Sequence, residues 1–309
     1  MRQSPKQKGK AGPQKITEAV NPVSASLETK PLAEVLRIIN REDRKVALAV
    51  SKVIPQIAQA AQIVVRALDR GGRLVYMGAG TSGRMGALDA AECLPTFGTR
   101  KVIAVLAAGP AAMLRSVEGA EDDEARAVSD LRKIKLSKRD VLIGIAASGS
   151  TPYTCAGLRY ARGLGLETIA LTSNPGSPVT ALADVSIVPV TGPEIVAGST
   201  RMKAGTAQKL VLNMLSTASM VGLGKVYAGL MVNVQLTNRK LRQRAIEILM
   251  KTQGVSVAEA ARAITESDGK LPVALVMLAK GVSSREAARL VRQNSLVKLL
   301  RPRPLRAKK

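Results

Sequence analysis

Residues 73–84 read RLVYMGAGTSGR, an apolar run followed at once by a loop of glycine and hydroxyl residues. Four further apolar runs follow at the spacing of alternating strands and helices. Continuous apolar strands that alternate with helices are typical of a parallel sheet covered on both faces. The sequence therefore predicts an α/β fold, a doubly wound parallel five-stranded sheet in an α-β-α sandwich. The predicted strands are RLVYM (73–77), KVIAVLA (101–107), VLIGIAA (141–147), ETIALTS (167–173) and DVSIVPV (184–190).

Helical patterns flank the predicted sheet on both sides. Residues 31–69 carry apolar residues at intervals of three and four, and the pattern turns helical again from about residue 201. Beyond Asn238 the pattern predicts a small, UBA-like domain of three amphipathic helices, at 239–252, 256–266 and 284–293. The predicted division of the chain is a disordered basic tail at 1–15, a main domain at 16–235, the small helical domain at 236–300 and a second basic tail at 301–309.

The composition excludes several kinds of catalytic and metal site. The chain has no histidine and only two cysteines, Cys93 and Cys155, which rules out Ser–His and Cys–His catalysis and disfavours a zinc site. Acid–base chemistry then depends on carboxylates, Lys, Tyr or Cys. The cysteine count and the absence of a secretory signal indicate the cytoplasm. No run of about 18 apolar residues occurs, so we expect no membrane-spanning helix.

The formal net charge of +24 raises the alternative of a nucleic-acid-binding protein. Residues 1–15 contribute +5 and residues 289–309 contribute +8, so more than half of the excess lies at the two ends. Such ends are usually solvated, and the chain has almost no aromatic residues on which bases would stack. Contact of the basic tails with nucleic acid or another polyanion stays a lesser alternative.

Three predicted strands end in loops of glycine and hydroxyl residues, at 78–84, 148–151 and 174–177. Ligands of open parallel sheets bind at the carboxyl ends of the strands, where backbone N–H groups, hydroxyls and helix N-termini hold anions. The first loop matches G-x-G-x-x-G, but the second strand ends without the acid that a dinucleotide site needs at that point. The loops therefore favour a phosphosugar over a dinucleotide, and tight packing turns are the remaining alternative.

Two groups of carboxylates follow these loops. LDAAEC puts Asp89 and Glu92 three residues apart, and VEGAEDD (117–123) places further acids, including Glu121, before the next predicted helix. Acids at a helix start are usually caps that interact with the helix dipole. From spacing alone, both a catalytic role and a capping role stay open for them.

Four segments of the chain are distinctive: GAGTSGRMGALDAAECLPTFG (78–98), VEGAEDD (117–123), GIAASGSTPY (144–153) and GPEIVAGSTRMKAGTAQKLVLNML (192–215). Together they resemble the N-acetylmuramic acid 6-phosphate etherases, which are single-module members of the sugar isomerase (SIS) domain proteins. The most specific of them is 192–215, a signature shared with glucokinase regulatory proteins. Further similarity lies in ITEAVNP (16–22) and RIINREDRKVALAV (37–50), so the resemblance covers about residues 16–300.

The resemblance implies a lyase that acts in the recycling of cell-wall amino sugars. It removes D-lactate from C3 of N-acetylmuramic acid 6-phosphate by elimination, then adds water to leave N-acetylglucosamine 6-phosphate. By position in the motifs, Glu92 matches the family's proton donor and Glu121 its second essential acid, taken as the C2 base; which is acid and which is base stays open. No metal or organic cofactor is implied, because the open-chain aldehyde acidifies C2. Relatives are homodimers whose active sites draw on both subunits.

The resemblance also carries over a set of substrate-binding residues. Arg84, Arg201 and Lys203 are candidates for the 6-phosphate or the lactyl carboxylate, with structural ion pairing as the alternative for each. Two departures from many relatives are Phe97, where a Tyr is common, and Ser150, where an Arg is common. The predicted phosphate-binding residues are Gly80, Thr81, Ser82, Ser148, Gly149, Ser150 and Thr151.

Two other functions fit the same loops. A non-catalytic phosphosugar sensor similar to glucokinase regulatory protein would bind the ligand without turnover. A phosphosugar isomerase would also remove a C2 proton, but it has no need for the signature at 192–215. Retention of both Glu92 and Glu121 in a single module favours the enzyme over the sensor.

Overall fold

A parallel sheet in the order β2-β1-β3-β4-β5 lies at the centre of the molecule. The computed structural model describes residues 16–234, 236 and 239–300. Each predicted apolar run contains one strand, which confirms the predicted five-stranded parallel sheet. The strands are β1 (Leu74–Gly78), β2 (Val102–Leu106), β3 (Val141–Ile145), β4 (Glu167–Leu171) and β5 (Val185–Ile187).

The register brings three strand ends to one edge of the sheet. Gly78, the last residue of β1, pairs with Leu106 at the end of β2 and with Ile145 at the end of β3. The chain reverses its direction of winding between β1 and β3, since β2 lies on one side of β1 and β3 on the other. Such a switch point opens a crevice at the carboxyl ends of the strands.

Helices cover both faces of the sheet, which confirms the doubly wound fold. Along β1, Leu74 and Tyr76 pack into a core with α2, α3 and α7, whereas Val75 and Met77 pack into a second core with α4, α5 and α6. Pro55 lies in the first turn of α2, where its missing N–H costs nothing. The helices are α1 (Leu32–Ser51), α2 (Ile54–Asp69), α3 (Gly80–Phe97), α4 (Glu124–Lys133), α5 (Pro152–Gly163), α6 (Pro178–Ala181) and α7 (Lys203–Gly222).

The residues after α7 form a third core of their own, from Tyr227 to Leu300. The three predicted amphipathic helices correspond to α8, α9 and α11, and the structure adds α10 and α12. The sequence pattern did not predict α10, because LPVALVMLAK (271–280) is apolar on nearly all sides and therefore shows no helical period. The elements are β6 (Val226–Tyr227), β7 (Leu230–Met231), α8 (Arg239–Gln253), α9 (Val257–Glu266), α10 (Leu271–Lys280), α11 (Ser284–Gln293) and α12 (Leu296–Leu299).

The predicted boundary at 235/236 stays a prediction, and the two predicted tails, 1–15 and 301–309, lie outside the described residues. Among the described residues, no single helix has the length and hydropathy to cross a membrane. Taken together, α1 and α2 meet that criterion by length and composition only, and they are bent by 59° at the break between them. Both cysteines are free and buried.

Candidate active site

A cavity of about 420 Å³ opens at the carboxyl ends of β1 and β3, at the switch point of the sheet. Hydroxyl groups from the loops after both strands face it, together with the carboxylates of Glu18, Glu121 and Asp122. The structure therefore brings together most of the residues predicted to bind phosphate. The cavity is lined by Glu18, Ala79, Gly80, Thr81, Ser82, Glu121, Asp122, Ala147, Ser148, Ser150, Thr151, Pro152, Gly198 and Thr200.

The loop after β1 turns directly into α3. A Cβ at Gly83 would lie 2.5 Å from the carbonyl oxygen of Gly78, so only glycine permits this close approach of helix and strand. Ser82 is buried in the first turn of α3, and its Oγ accepts a hydrogen bond from Gln208 Nε2 at 3.0 Å. That bond leaves the Ser82 hydroxyl hydrogen free to point toward a ligand.

The loop after β3 holds Gly149 at φ +70°, a left-handed conformation that favours glycine. A Cβ at Gly149 would lie only 2.0 Å from Ser177 Oγ, which belongs to the loop after β4. The loop then enters α5 at Pro152. The N-terminus of a 12-residue helix beside three hydroxyl side chains is suited to hold an anion such as phosphate.

Glu121 lies in this cavity because its main chain is bonded to α5. The carbonyl oxygen of Glu121 accepts a hydrogen bond from the N–H of Tyr153 at 2.9 Å, in the first turn of that helix. Asp123, two residues on, caps α4, since its side chain accepts from the N–H of Arg126 at 2.7 Å. The capping alternative therefore holds for Asp123, whereas Glu121 faces the cavity.

Glu92 does not share this cavity. It is exposed on α3, 12 residues beyond Gly80, which corresponds to about 18 Å along the helix axis. Asp89, one turn earlier, is buried and accepts hydrogen bonds from Tyr76 Oη and Asn213 Nδ2, both at 2.8 Å. Burial raises the pKa of Asp89 above its usual value. Asp89 thus ties β1 and α7 to α3, while Glu92 faces outward.

The three basic candidates differ in their surroundings. Arg84 donates from Nε to the carbonyl of Ala112 at 2.9 Å and from Nη2 to that of Arg115 at 3.1 Å. It lines a neighbouring cavity of about 240 Å³, which it shares with Glu121. Arg201 is exposed two residues before α7. None of the three lines the main cavity.

Lys203 is withdrawn into a buried ion pair. Its side chain is 1% exposed, and Nζ donates to Glu42 Oε2 at 2.8 Å. Burial alone would raise the pKa of Glu42, but hydrogen bonds from Lys203, Lys45 and Asn21 lower it from 4.5 to about 2. For Lys203 the structure thus shows the ion-pairing alternative, and its predicted contact with substrate lacks a free ammonium group.

No group of three or more His, Cys, Asp or Glu within the described part of the chain lies close enough to hold a metal ion. The cavity therefore offers two kinds of surface: hydroxyl groups and the start of α5, which suit an anion, and carboxylates, which suit the hydroxyl groups of a sugar.

Comparison with known proteins decides the family. The N-acetylmuramic acid 6-phosphate etherase of Edwardsiella ictaluri (strain 93-146) is 52% identical over 265 residues, which span 85% of this chain and 88% of that protein. N-acetylmuramic acid 6-phosphate etherase 1 of Vibrio cholerae is 50% identical over 265 residues, with 85% and 88% covered. This chain belongs to the N-acetylmuramic acid 6-phosphate etherase family.

Family models and solved structures agree with the fold. The SIS domain model matches residues 121–218, and the model of the glucokinase regulatory protein N-terminal SIS domain matches residues 56–162. A Bacteroides fragilis protein described as a phosphosugar isomerase involved in capsule formation superposes with a TM-score of 0.50. It is 22% identical and covers 62% of this chain and 92% of its own, so it shows the likeness of the fold alone.

Several residues of this etherase-family site were missed from the sequence. Glu18, Gly198 and Thr200 line the cavity although they lie far from its loops in the chain. The motifs ITEAVNP and GPEIVAGST contain them, but neither segment has a helical or strand period that would show which side chains face a ligand. Gln208 was missed as well, since a glutamine inside a buried helix looks like any core position.

Two further acids near the site have structural roles. Glu194 is buried and accepts hydrogen bonds from the N–H groups of Lys203 and Ala204, both at 2.9 Å, which caps the start of α7. Glu42 joins α1 to the same helix end. Of the two departures from relatives, Phe97 packs in the core beside α2 and α7, and Ser150 lines the cavity.

Proposed function

We propose that this chain is a lyase that cleaves the lactyl ether of N-acetylmuramic acid 6-phosphate. The products are N-acetylglucosamine 6-phosphate and D-lactate, and the proposed setting is the cytoplasm. The observation that carries the proposal is the identity of 52% with an etherase over 85% of the chain. The cavity supports it, since hydroxyls and a helix N-terminus lie beside Glu121 at the switch point of the sheet.

The reaction needs one base and one acid. We assign abstraction of the C2 proton to Glu121. As this proton is removed, the C2–C3 double bond forms and the C3–O bond breaks. The lactyl oxygen leaves with a proton from Glu92, and water then adds to C3 of the unsaturated aldehyde. The 6-phosphate lies in this proposal among Ser82, Ser148 and Thr151, where neutral donors stabilise its charge. Carboxylates serve as acid and base because the chain has no histidine.

A second copy of the chain is part of this proposal, because Glu92 lies outside the cavity of its own chain. Leu88, one turn before Glu92, is 46% exposed, and Met214 on the neighbouring helix α7 is 42% exposed. Exposed large apolar side chains beside a proposed catalytic acid support a homodimer interface that carries Glu92 to the partner's cavity.

Lactate release from N-acetylmuramic acid 6-phosphate tests the activity. The wild type releases lactate, and Glu92→Gln and Glu121→Gln each lower kcat by about two orders of magnitude or more, because each removes a proton-transfer group. A folded wild type that binds the sugar phosphate but releases no lactate would instead be a phosphosugar sensor, the function that the match to glucokinase regulatory protein represents.

Mixing the two inactive variants tests the shared site. A heterodimer of Glu92→Gln and Glu121→Gln subunits holds one site with both carboxylates and one with neither. Half of the randomly mixed dimers are heterodimers, so we expect about a quarter of wild-type activity after subunit exchange. No recovery in a mixture shown by mass to contain heterodimers, with one of the two variants isotopically labelled, would place both carboxylates within one chain.

A further inference from the structure

The segment at the start of the described chain is fixed against the loop after β4. Asn174 Oδ1 accepts hydrogen bonds from the N–H of Ile16 at 2.7 Å and of Thr17 at 3.4 Å. Asn174 Nδ2 donates to Thr17 Oγ1 at 3.0 Å. Thr17 and Asn174 are both buried, although they lie more than 150 residues apart in the chain. Their hydrogen bonds therefore fix the segment within the fold.

The hydrogen bonds between Thr17 and Asn174 place the next residue, Glu18, at the cavity. Thr17 Oγ1 donates to Glu18 Oε1 at 3.4 Å, and the carbonyl oxygen of Thr17 accepts from the N–H of Gly198 at 3.0 Å. On the opposite side, a Cβ at Gly198 would lie 3.2 Å from Glu18 Oε2, so the glycine leaves room for the carboxylate. Two separate loops thus hold Glu18 at the cavity wall.

The chemistry of the cavity limits what Glu18 can bind. A metal ion is disfavoured, because the carboxylates that line the cavity do not form a metal-binding group among the described residues. A phosphate beside Glu18 would bring two negative charges together. Hydroxyl and amide N–H groups of a sugar remain, and a carboxylate accepts strong, charge-assisted hydrogen bonds from such donors.

We propose that Glu18 accepts hydrogen bonds from the sugar part of the bound sugar phosphate, and that the docked segment 16–18 determines selectivity for that sugar. This inference rests on the proposed function, since it concerns the same cavity. Glu18 is a specificity residue here: it holds the sugar, while the hydroxyl loops hold the phosphate. The amino-terminal segment is then a wall of the site.

Binding measurements distinguish recognition of the sugar by Glu18 from recognition of the phosphate. Calorimetry with N-acetylglucosamine 6-phosphate and with inorganic phosphate compares the wild type with Glu18→Ala and Glu18→Gln. We expect Glu18→Ala to weaken binding of the sugar phosphate about 10- to 100-fold and to leave the affinity for inorganic phosphate unchanged. Glu18→Gln keeps one acceptor oxygen and should recover part of the loss. Glu28→Ala, at an exposed position ten residues away, is the matched control and should change neither affinity.

Steady-state lactate release completes the test. The expected result is a higher KM for Glu18→Ala with kcat within a few-fold of wild type. Unchanged affinity for the sugar phosphate in folded Glu18→Ala refutes the inference, as does a gain in affinity for inorganic phosphate or a collapse of kcat at unchanged KM. If the wild type binds the sugar phosphate without releasing lactate, the etherase proposal fails while the calorimetric comparison still tests Glu18.

Discussion

Replacing Lys203 with methionine tests whether this lysine binds substrate or holds the fold together. Lys203 Nζ is buried against Glu42 at 2.8 Å, and Lys45 and Asn21 are the other partners of that carboxylate. Removing one partner of a buried ion pair typically costs about 3–5 kcal/mol, because the remaining charge stays buried. Since Lys45 and Asn21 remain, we expect a loss near the lower limit, about 3 kcal/mol of unfolding free energy.

The pKa of Glu42 reports how much all of its partners together stabilise its charge. Lowering that pKa from 4.5 to about 2 on folding corresponds to about 3 kcal/mol of stability. Because the folded pKa lies below the unfolded one, this contribution is fully present above pH 4.5 and is lost as the pH falls toward 2. The difference between wild type and Glu42→Gln should therefore shrink between pH 5 and pH 3, in the direction that linkage requires.

Urea unfolding at pH 7 measures the free energies, with Lys209→Met, an exposed lysine on the same helix, as control. The double variant Glu42→Leu/Lys203→Met should recover most of the loss, since it leaves no buried charge unpaired. Asn21 Nδ2 stays satisfied in it through the carbonyl oxygen of Pro193 at 2.9 Å. Wild-type stability in Lys203→Met together with a KM raised tenfold or more would refute this reasoning and restore Lys203 as a substrate ligand.

Two further predictions concern the loops. Gly149→Ala should lower the free energy of unfolding by about 1–3 kcal/mol and raise KM, because the new Cβ would lie 2.0 Å from Ser177 Oγ. The control is Gly163→Ala, whose Cβ would have no atom within 4 Å, and it should change neither unfolding nor kinetics. Gln208→Leu should raise KM about fivefold, because the Ser82 hydroxyl loses the hydrogen bond that orients it. The effect should vanish in a Ser82→Ala background. Additive effects of these two substitutions would show that Gln208 does not act through Ser82.

The sheet and its loops were predictable because the signals are local. Each strand is one continuous apolar run, and glycine and hydroxyl residues follow directly at 78–84 and 148–151. The rule that ligands bind at the carboxyl ends of parallel strands then predicts that the two loops meet. The amphipathic helices after Asn238 were predictable for the same reason, whereas α10 has no polar face to show its period.

The side chains that depend on distant partners were not predictable. Lys203 lies within the most specific family segment, yet a carboxylate 161 residues away decides that its ammonium group is buried. Glu18 stands in a short irregular segment, and Asn174, more than 150 residues later, determines where it points. Sequence patterns report the conformation of a segment, but they do not report which remote group pairs with a particular side chain.

The two proposed catalytic glutamates combine both situations. The acidic run that contains Glu121 was predictable because it leads directly into α4, but the hydrogen bond that fixes Glu121 comes from Tyr153 in the first turn of α5. Glu92 lies on the regular helix α3, but it is exposed and does not line that cavity. In the proposed homodimer, an interface beside Leu88 that places Glu92 at the partner's cavity also places the partner's acid at this one. The proposed assembly thus accounts for two observations together, the exposed apolar side chains beside Glu92 and the position of Glu92 outside the cavity that Glu121 lines.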